Sequence, residues 1–220
     1  MSIATLILGE SGSGKTCSLR NLDPSKCLLI QPVAKPLPFR SGEWQKHIYV
    51  QSDSAKIVSA MRKTKAEIII LDDYQYILAS QFMSRRNERG FDKFTDIGGS
   101  GYDIALAASQ LEPQKRVYIL GHTETDEAGN IRIKTLGRIL SEKIVLEGMF
   151  TIVLRTNVDA GNGKYTFLTQ NSGHDTVKSP MGMFESREID NDLAQVDETI
   201  VSYYGLNEPE TDPTTEIQGV

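Results

Sequence analysis

The residues best suited to chemistry form a glycine-rich run near the start of the chain. Gly9 to Thr16 read G-x-x-x-x-G-K-T, the pattern of a loop that binds nucleotide phosphates. Glycines let such a loop fold around a phosphate with its N–H groups pointing inward. Lys15 would reach the β- and γ-phosphates, and the Thr16 hydroxyl would bind Mg²⁺. The predicted nucleotide-binding residues are Gly9, Glu10, Ser11, Gly12, Ser13, Gly14, Lys15, Thr16 and Cys17. The alternative is a glycine turn that only caps a helix.

Two further positions carry polar groups directly after apolar runs. Residues 67–71 hold four consecutive aliphatics and are followed by Asp72 and Asp73. This pattern predicts a buried parallel strand that ends in a carboxylate. We assign Asp72 to Mg²⁺ and Asp73 to polarising the attacking water. His122 follows a second apolar run and could contact the γ-phosphate or the water. The alternatives are that one aspartate caps the next helix and that His122 is a structural histidine.

Alternating strand and helix patterns would position these groups. The glycine run follows a short apolar strand at 3–8, and a helix opening at Gly14 would continue through 17–22. The fold class is therefore α/β, with a mainly parallel central sheet flanked by helices and with β-hairpin additions. The other predicted strands are 26–30, 47–50, 67–71, 116–121, 150–154 and 164–168. The other predicted helices are 53–63, 74–86, 102–111, 136–146 and 194–204, and a further hairpin is predicted at 124–135.

A basic segment at 84–94 follows the aspartate pair. It interleaves Arg85, Arg86, Arg89 and Lys93 with two phenylalanines. Cations with aromatic rings suit single-stranded nucleic acid, because they neutralise phosphates and stack on bases. The alternative is a solvated helix end with its aromatic side chains in the core. The glycines at 97–101 then predict a mobile loop.

Composition describes an ordinary globular chain. The sequence has 220 residues, of which 39% are hydrophobic and 24% charged, so we expect one domain. Cys17 and Cys27 are too few for a disulfide scaffold or a zinc site, and we expect both to be buried and reduced. No signal peptide or membrane span is predicted, and we expect a cytoplasmic protein.

Charge is unevenly distributed along the chain. The net charge is −5, but residues 185–220 contain ten acids and one base, so residues 1–184 carry +4. A mildly basic body is compatible with a nucleic-acid partner. Residues 206–220 are poor in apolar groups and are predicted to be an acidic disordered tail.

Several short runs resemble phage-encoded RecA-like ATPases, some of which are single-strand annealing proteins. These runs are 21–24, 34–39, 73–76 with 90–94, and 150–154 with 178–184. The resemblance covers about residues 1–185 and implies a RecA-like ATPase domain there, with a C-terminal extension at 186–205. It also implies that loops 84–101 and 123–135 face DNA, and that a neighbouring subunit supplies a cation, Lys178 or Arg155. RecA itself often has glutamine where this chain has His122.

The function that these features predict is an ATP-hydrolysing phage recombination or annealing protein that acts on single-stranded DNA. It would use ATP and Mg²⁺, form a homo-oligomer and work in the host cytoplasm, with a single-strand-binding or replication protein as a possible partner. The alternatives are a nucleotide-gated loader with slow hydrolysis and a small-molecule kinase. ATP is the default nucleotide, because the N-K-x-D run typical of GTPases does not occur in the sequence.

Overall fold

The computed structural model describes residues 1–136, 140 and 143–206. Its strands are β1 (Ile3–Gly9), β2 (Cys27–Gln31), β3 (Ile48–Val50), β4 (Ile68–Leu71), β5 (Arg116–Thr125), β6 (Ile131–Ile133), β7 (Ile152–Asp159), β8 (Lys164–Leu168) and β9 (Glu188–Asp190). Its α-helices are α1 (Ser54–Lys63), α2 (Gln75–Ser84), α3 (Asp92–Ser109) and α4 (Leu193–Tyr204). Every helix in these ranges is too short or too polar to cross a membrane.

One sheet organises the described chain, in the order β3-β2-β4-β5-β1-β7-β8-β9. The pairs from β3 to β7 are all parallel, whereas β8 and β9 continue the sheet antiparallel. The strand β6 pairs antiparallel with the far end of β5 and forms a separate hairpin. The predicted fold class, with its mainly parallel sheet and its hairpins, is therefore confirmed.

The sheet is buried on both faces, which explains why its central strands are almost wholly aliphatic. All four residues of β4 are buried. Helices α1, α2 and α3 cover one face through residues such as Ile57, Ile77 and Ile104. The other face packs against α4 and against the short segments that contain Leu19 and Trp44. The two apolar layers fix the sheet, so its carboxyl edge is a rigid platform.

Helix α4 is tied to the body of the domain by charge as well as by packing. Asp192 caps its first turn, because the Asp192 side chain accepts a hydrogen bond from the Ala194 N–H at 3.0 Å. Within the helix, Asp197 accepts from Arg116 Nε at 3.0 Å and also from the Tyr118 hydroxyl, both on β5. The segment predicted as a C-terminal extension thus packs on the same core as residues 1–185.

The structure differs from the sequence predictions around two glycine-rich segments. The predicted mobile loop at 97–101 lies inside α3, and a Cβ added to Gly101 would meet the Tyr74 hydroxyl and the Leu78 side chain of α2. After the first glycine run, the predicted helix is only a six-residue 3₁₀ helix, Thr16–Asn21. The loop N–H groups and Lys15, rather than the dipole of a long helix, therefore face any bound anion.

Smaller differences concern element ends and burial. β5 continues past Gly121, so His122 lies within that strand rather than after it. Cys27 is buried as expected, but Cys17 is only partly buried; both are free cysteines. The short strand β9 was not predicted. The helix predicted at 136–146 falls partly, and the acidic tail almost wholly, outside the described residues.

Candidate active site

The polar groups singled out in the sequence meet at one edge of the sheet. β1, β4 and β5 are neighbours and run parallel, so their carboxyl ends lie side by side. Gly9 at the end of β1 is paired in register with His122 of β5. Asp72 follows β4, and its N–H donates to the Ile30 carbonyl of β2 at 2.9 Å. The glycine loop, the aspartate pair and His122 therefore surround one point.

The glycine loop depends on residues that cannot carry a side chain. A Cβ added to Gly9 would overlap the Thr156 hydroxyl, which itself lies 2.6 Å from Ser13 Oγ. Gly14 has a φ of +95°, and a Cβ there would lie 2.8 Å from Tyr165 Cδ1. Ser13 Oγ in turn donates to the Glu10 carbonyl at 2.7 Å. Strands β7 and β8 thus hold the loop from outside, which the octapeptide pattern alone does not reveal.

Lys15 lies at the centre of the loop and is only 5% exposed. Its ammonium donates to the carbonyls of Gly9 and Glu10, each at 2.7 Å. Burial lowers the pKa of Lys15 to about 8, and the nearby charges of Asp73 and Asp72 oppose this shift. Lys15 is therefore a buried cation with anionic neighbours, placed where a phosphate would be cradled.

Thr16 and Asp72 form a matched pair of oxygen ligands. The Thr16 hydroxyl donates to Asp72 Oδ1 at 3.0 Å. Burial and the neighbouring Asp73 charge raise the pKa of Asp72. Oxygen ligands of this kind suit Mg²⁺, which is usually held by one or two protein groups together with substrate phosphates and water. No group of three or more His, Cys, Asp or Glu side chains that could hold a metal occurs among the described residues.

Asp73 has an unusual backbone and two partners. Its φ is +64°, and it is the one non-glycine residue with positive φ in the described part of the chain. An aspartate tolerates this left-handed conformation better than most residues, but strain of this type concentrates at functional sites. Asp73 Oδ1 lies 3.2 Å from His122 Nε2, and Asp73 Oδ2 accepts a hydrogen bond from Lys35 Nζ.

His122 is partly buried between the loop and α2. Burial, followed by the positive charge of Lys15, lowers the pKa of His122, which favours a neutral ring. Its backbone N–H donates to Gln75 Oε1 at 3.3 Å, and the Tyr76 ring packs edge-on at 6.2 Å. A neutral imidazole next to Asp73 can exchange hydrogen bonds with a water or a phosphate oxygen.

Lys35 also belongs to this site, although no sequence pattern indicates it. It comes from the irregular segment 32–40, where three prolines predict only the absence of regular structure. Its side chain reaches Asp73 and lies 3.8 Å from Asp72 Oδ2. No local pattern signals such a role, because the contact depends on how the segment folds over the sheet edge.

These groups line one cavity of about 340 Å³, a size that suits a small ligand. Tyr165 and Pro38 add an aromatic and an aliphatic wall to the charged groups. The lining residues are Ser11, Gly12, Gly14, Lys15, Thr16, Cys17, Lys35, Pro38, Asp73, His122 and Tyr165.

In the basic segment 84–94, unlike at the cavity, two of the predicted cations are bonded within the segment and its neighbours. Arg85 Nε donates to Glu88 Oε2 at 2.8 Å, and a second guanidinium nitrogen bonds Asp96 at 3.0 Å. Lys93 is only 6% exposed, donates to the carbonyls of Arg85 and Glu88, and lies over the Phe82 ring at 4.7 Å. Lys93 is therefore turned into the segment in this structure, and its role as a DNA contact stays a prediction.

Two other cations of the basic segment, Arg86 and Arg89, remain exposed, as does the Phe91 side chain. They lie between the end of α2 and the start of α3. The second predicted DNA loop, 123–135, is the β5–β6 hairpin, in which Arg132 pairs with Asp126 at 3.4 Å. Of the four cations that the sequence predicted as DNA contacts, Arg86 and Arg89 are thus exposed.

The two cations predicted to serve a neighbouring subunit lie away from the cavity. Arg155 on β7 pairs with Asp175 at 3.3 Å. Lys178 forms an isolated bridge with Val153 through its backbone. Neither residue lines the cavity of its own chain.

Comparison with known proteins adds little to this geometry. A scan against protein-family models gives no match, and a search of curated proteins gives none either. Among solved structures, a KaiC-like protein from the hyperthermophilic archaeon Pyrococcus horikoshii OT3 aligns with a TM-score of 0.45 and 12% sequence identity. The alignment covers 76% of this chain and 78% of that one. The interpretation of the site therefore rests on its own residues.

Proposed function

We propose that this chain binds ATP with Mg²⁺ and hydrolyses it at the edge formed by β1, β4 and β5. The observation that carries the proposal is the convergence of Lys15, Thr16, Asp73 and His122 on one cavity, with Asp72 hydrogen-bonded to Thr16. The glycine pattern alone is compatible with a simple turn. A buried cation, a hydroxyl–carboxylate pair and a second carboxylate at the same point are the set that phosphoryl transfer needs.

The position of each residue in the site determines the role that we propose for it. Lys15 would exchange the Gly9 and Glu10 carbonyls for oxygens of the β- and γ-phosphates, and the loop N–H groups would hold the β-phosphate. Thr16 and Asp72 would hold Mg²⁺, which supplies neutralisation of the phosphate charge. Asp73 would accept a hydrogen bond from the attacking water, and the neutral His122 would hold either Asp73 or the terminal phosphate in place.

We further propose that the protein acts on single-stranded DNA, as a phage-type recombination or annealing protein working as a homo-oligomer in the host cytoplasm. Support comes from the exposed Arg86, Arg89 and Phe91, which together offer phosphate neutralisation and base stacking. The surface is small, because Arg85 and Lys93 are engaged within the protein. We therefore expect DNA binding that is weak and strongly dependent on salt.

One observation favours the alternative of a nucleotide-gated loader with slow hydrolysis. Asp73 is held by both Lys35 and His122. Each oxygen of this carboxylate therefore already has a partner, and the two partners restrict where a water can bind. A slow basal rate that a replication partner, rather than DNA alone, raises would fit this arrangement.

The test is phosphate release from ATP·Mg²⁺, with and without single-stranded DNA, for three proteins. These are the wild type, Lys15→Ala and the double variant Arg86→Ala/Arg89→Ala. We expect hydrolysis that Lys15→Ala lowers by about 10²-fold or more. Stimulation by DNA that the double variant loses would support the recombination function. Hydrolysis without any DNA effect would favour the loader, and Lys15-independent hydrolysis would contradict the proposed site.

A further inference from the structure

We propose that Lys35 supplies, from within the same chain, a second cation that contacts the terminal phosphate of the bound nucleotide. The inference rests on the proposed function, since it assigns a ligand contact inside the same cavity. It replaces the expectation that a neighbouring subunit completes the site with Lys178 or Arg155.

The position of Lys35 is built into the fold. Segment 32–40 leaves the carboxyl end of β2, which lies beside β4 in the sheet. Two residues beyond Lys35, the Leu37 side chain is buried in the core, and Phe39 packs edge-on against Trp44 at 6.1 Å. The segment is therefore anchored on both sides of Lys35, which places the ammonium at the cavity wall.

The electrostatics of the cavity explain what Lys35 does there. Asp72 and Asp73 bring two carboxylates to a buried edge, and Lys15 supplies one cation. Lys35 supplies another, through a hydrogen bond to Asp73 and an approach of 3.8 Å to Asp72. Although partial burial opposes its charge, the hydrogen bond to Asp73 raises the pKa of Lys35. A nucleoside triphosphate adds several negative charges, so a mobile cation already at this position favours its binding.

Lys35 also has freedom to move, unlike Lys15. Its side chain is 40% exposed, whereas Lys15 is 5% exposed and held by two carbonyls. A lysine has a flexible stem and three donors, so it can turn from Asp73 to a phosphate oxygen. That movement would free Asp73 to orient water. The terminal phosphate would then both recruit Lys35 and release the carboxylate that the reaction needs.

The decisive experiment compares affinities for ATP·Mg²⁺ and ADP·Mg²⁺ by calorimetry, without any need for turnover. The proteins are the wild type, Lys35→Ala, Lys35→Gln and the control Arg40→Ala, which removes an exposed cation from the same segment. We expect Lys35→Ala and Lys35→Gln to weaken ATP binding by about ten-fold while ADP changes by less than about two-fold. Arg40→Ala should leave both affinities unchanged, and thermal melts confirm folding.

The calorimetry has three outcomes, which distinguish failure of this inference from failure of the proposed function. Equal loss of ATP and ADP affinity in both Lys35 variants, or no loss of either, would overturn the role of Lys35 alone. A wild-type protein that binds neither nucleotide would overturn the proposed function and this inference with it. Selective loss of ATP affinity would support both.

Mixing variants tests whether Lys35 acts within its own chain. Lys15→Ala keeps Lys35 but has a defective loop, and Lys35→Ala keeps the loop. If Lys35 acts in its own chain, a mixture of the two should not exceed the summed phosphate release of its components. A recovery of phosphate release in the mixture would show that Lys35 serves a neighbour's site and would overturn the assignment.

Discussion

The glycine-loop edge and the basic segment 84–94 both bring several charged side chains together, but they do so in opposite ways. At the loop edge, Lys15 and Asp73 are buried and line a common cavity, and the buried Asp72 accepts a hydrogen bond from Thr16 of the same cavity. In the basic segment, Arg85 is neutralised by Glu88 and Asp96, and Lys93 is turned inward. Charges that share a cavity are available to a ligand, whereas charges that satisfy one another hold the fold together. The glycine-loop edge is therefore the candidate ligand site, whereas the paired charges of the basic segment stabilise the fold.

Among the substitutions that test this contrast, we expect the largest change in stability at Gly9. Gly9→Ala places a Cβ on the Thr156 hydroxyl, and the β1–β7 pair on one side leaves little room for relief. We expect a loss of about 3 kcal/mol in the free energy of unfolding, together with loss of nucleotide binding. Urea unfolding measures the first quantity. Gly42→Ala, whose Cβ would meet open space, is the matched control and should change little. A Gly9→Ala protein with normal stability would show that the loop is not held as described.

Lys93 provides the corresponding test in the basic segment. Lys93→Ala removes a buried ammonium that bonds two carbonyls and covers the Phe82 ring, so we expect about 1–3 kcal/mol of destabilisation. Arg89→Ala, at an exposed position nearby, should change stability by less than about 0.5 kcal/mol. The result that would contradict this is a Lys93→Ala protein as stable as Arg89→Ala in chemical unfolding but selectively weakened in DNA binding. Lys93 would then be a DNA contact.

A smaller effect of opposite sign is expected at Gly99. The residue lies inside α3, and a Cβ there meets nothing within 4 Å. Because glycine lowers helix stability relative to alanine, Gly99→Ala should stabilise the protein by about 0.5–1 kcal/mol. Thermal unfolding measures the change. Destabilisation would argue for the glycine loop that the sequence suggested.

The smallest effect concerns the exposed ion pair of the basic segment. The hydrogen bond from Arg85 lowers the pKa of the Glu88 carboxyl. Because the folded pKa lies below the unfolded one, the pair's small contribution to stability is present above the unfolded pKa. It is lost as pH falls through the folded pKa. An NMR titration should show this lowered pKa, and Arg85→Ala or high salt should raise it toward its ordinary value. No difference between the wild type and Arg85→Ala would mean that Arg85 is free for a ligand.

The sequence predicted best where local chemistry dictates the backbone. The octapeptide Gly9–Thr16 requires glycines at fixed positions, and the short all-aliphatic run of β4 favours a strand buried on both faces. The acids after that run therefore fell at the correct edge of the sheet. These features depend on short segments, which is why one sequence was enough to find them.

Prediction failed where tertiary packing decides. Gly98 and Gly101 look like loop residues, but they are buried in α3, where small residues let the helix pack closely against α2. The sequence pattern predicts Lys93 as a DNA contact, but its ammonium packs over the rings of Phe82 and Phe94. Lys35 could not be found at all, because only the folded segment 32–40 brings it to Asp73. None of these contacts leaves a periodic or motif signal.

The proposed nucleotide site is tested most directly by a calorimetric titration of ATP·Mg²⁺ into the wild type, Lys15→Ala and Arg86→Ala/Arg89→Ala. We expect one nucleotide per wild-type chain, the same affinity in the arginine variant, and a loss of affinity of about 100-fold or more in Lys15→Ala. Unchanged binding by Lys15→Ala, or loss of binding in the arginine variant alone, would contradict the claim that the glycine-loop edge is the nucleotide site.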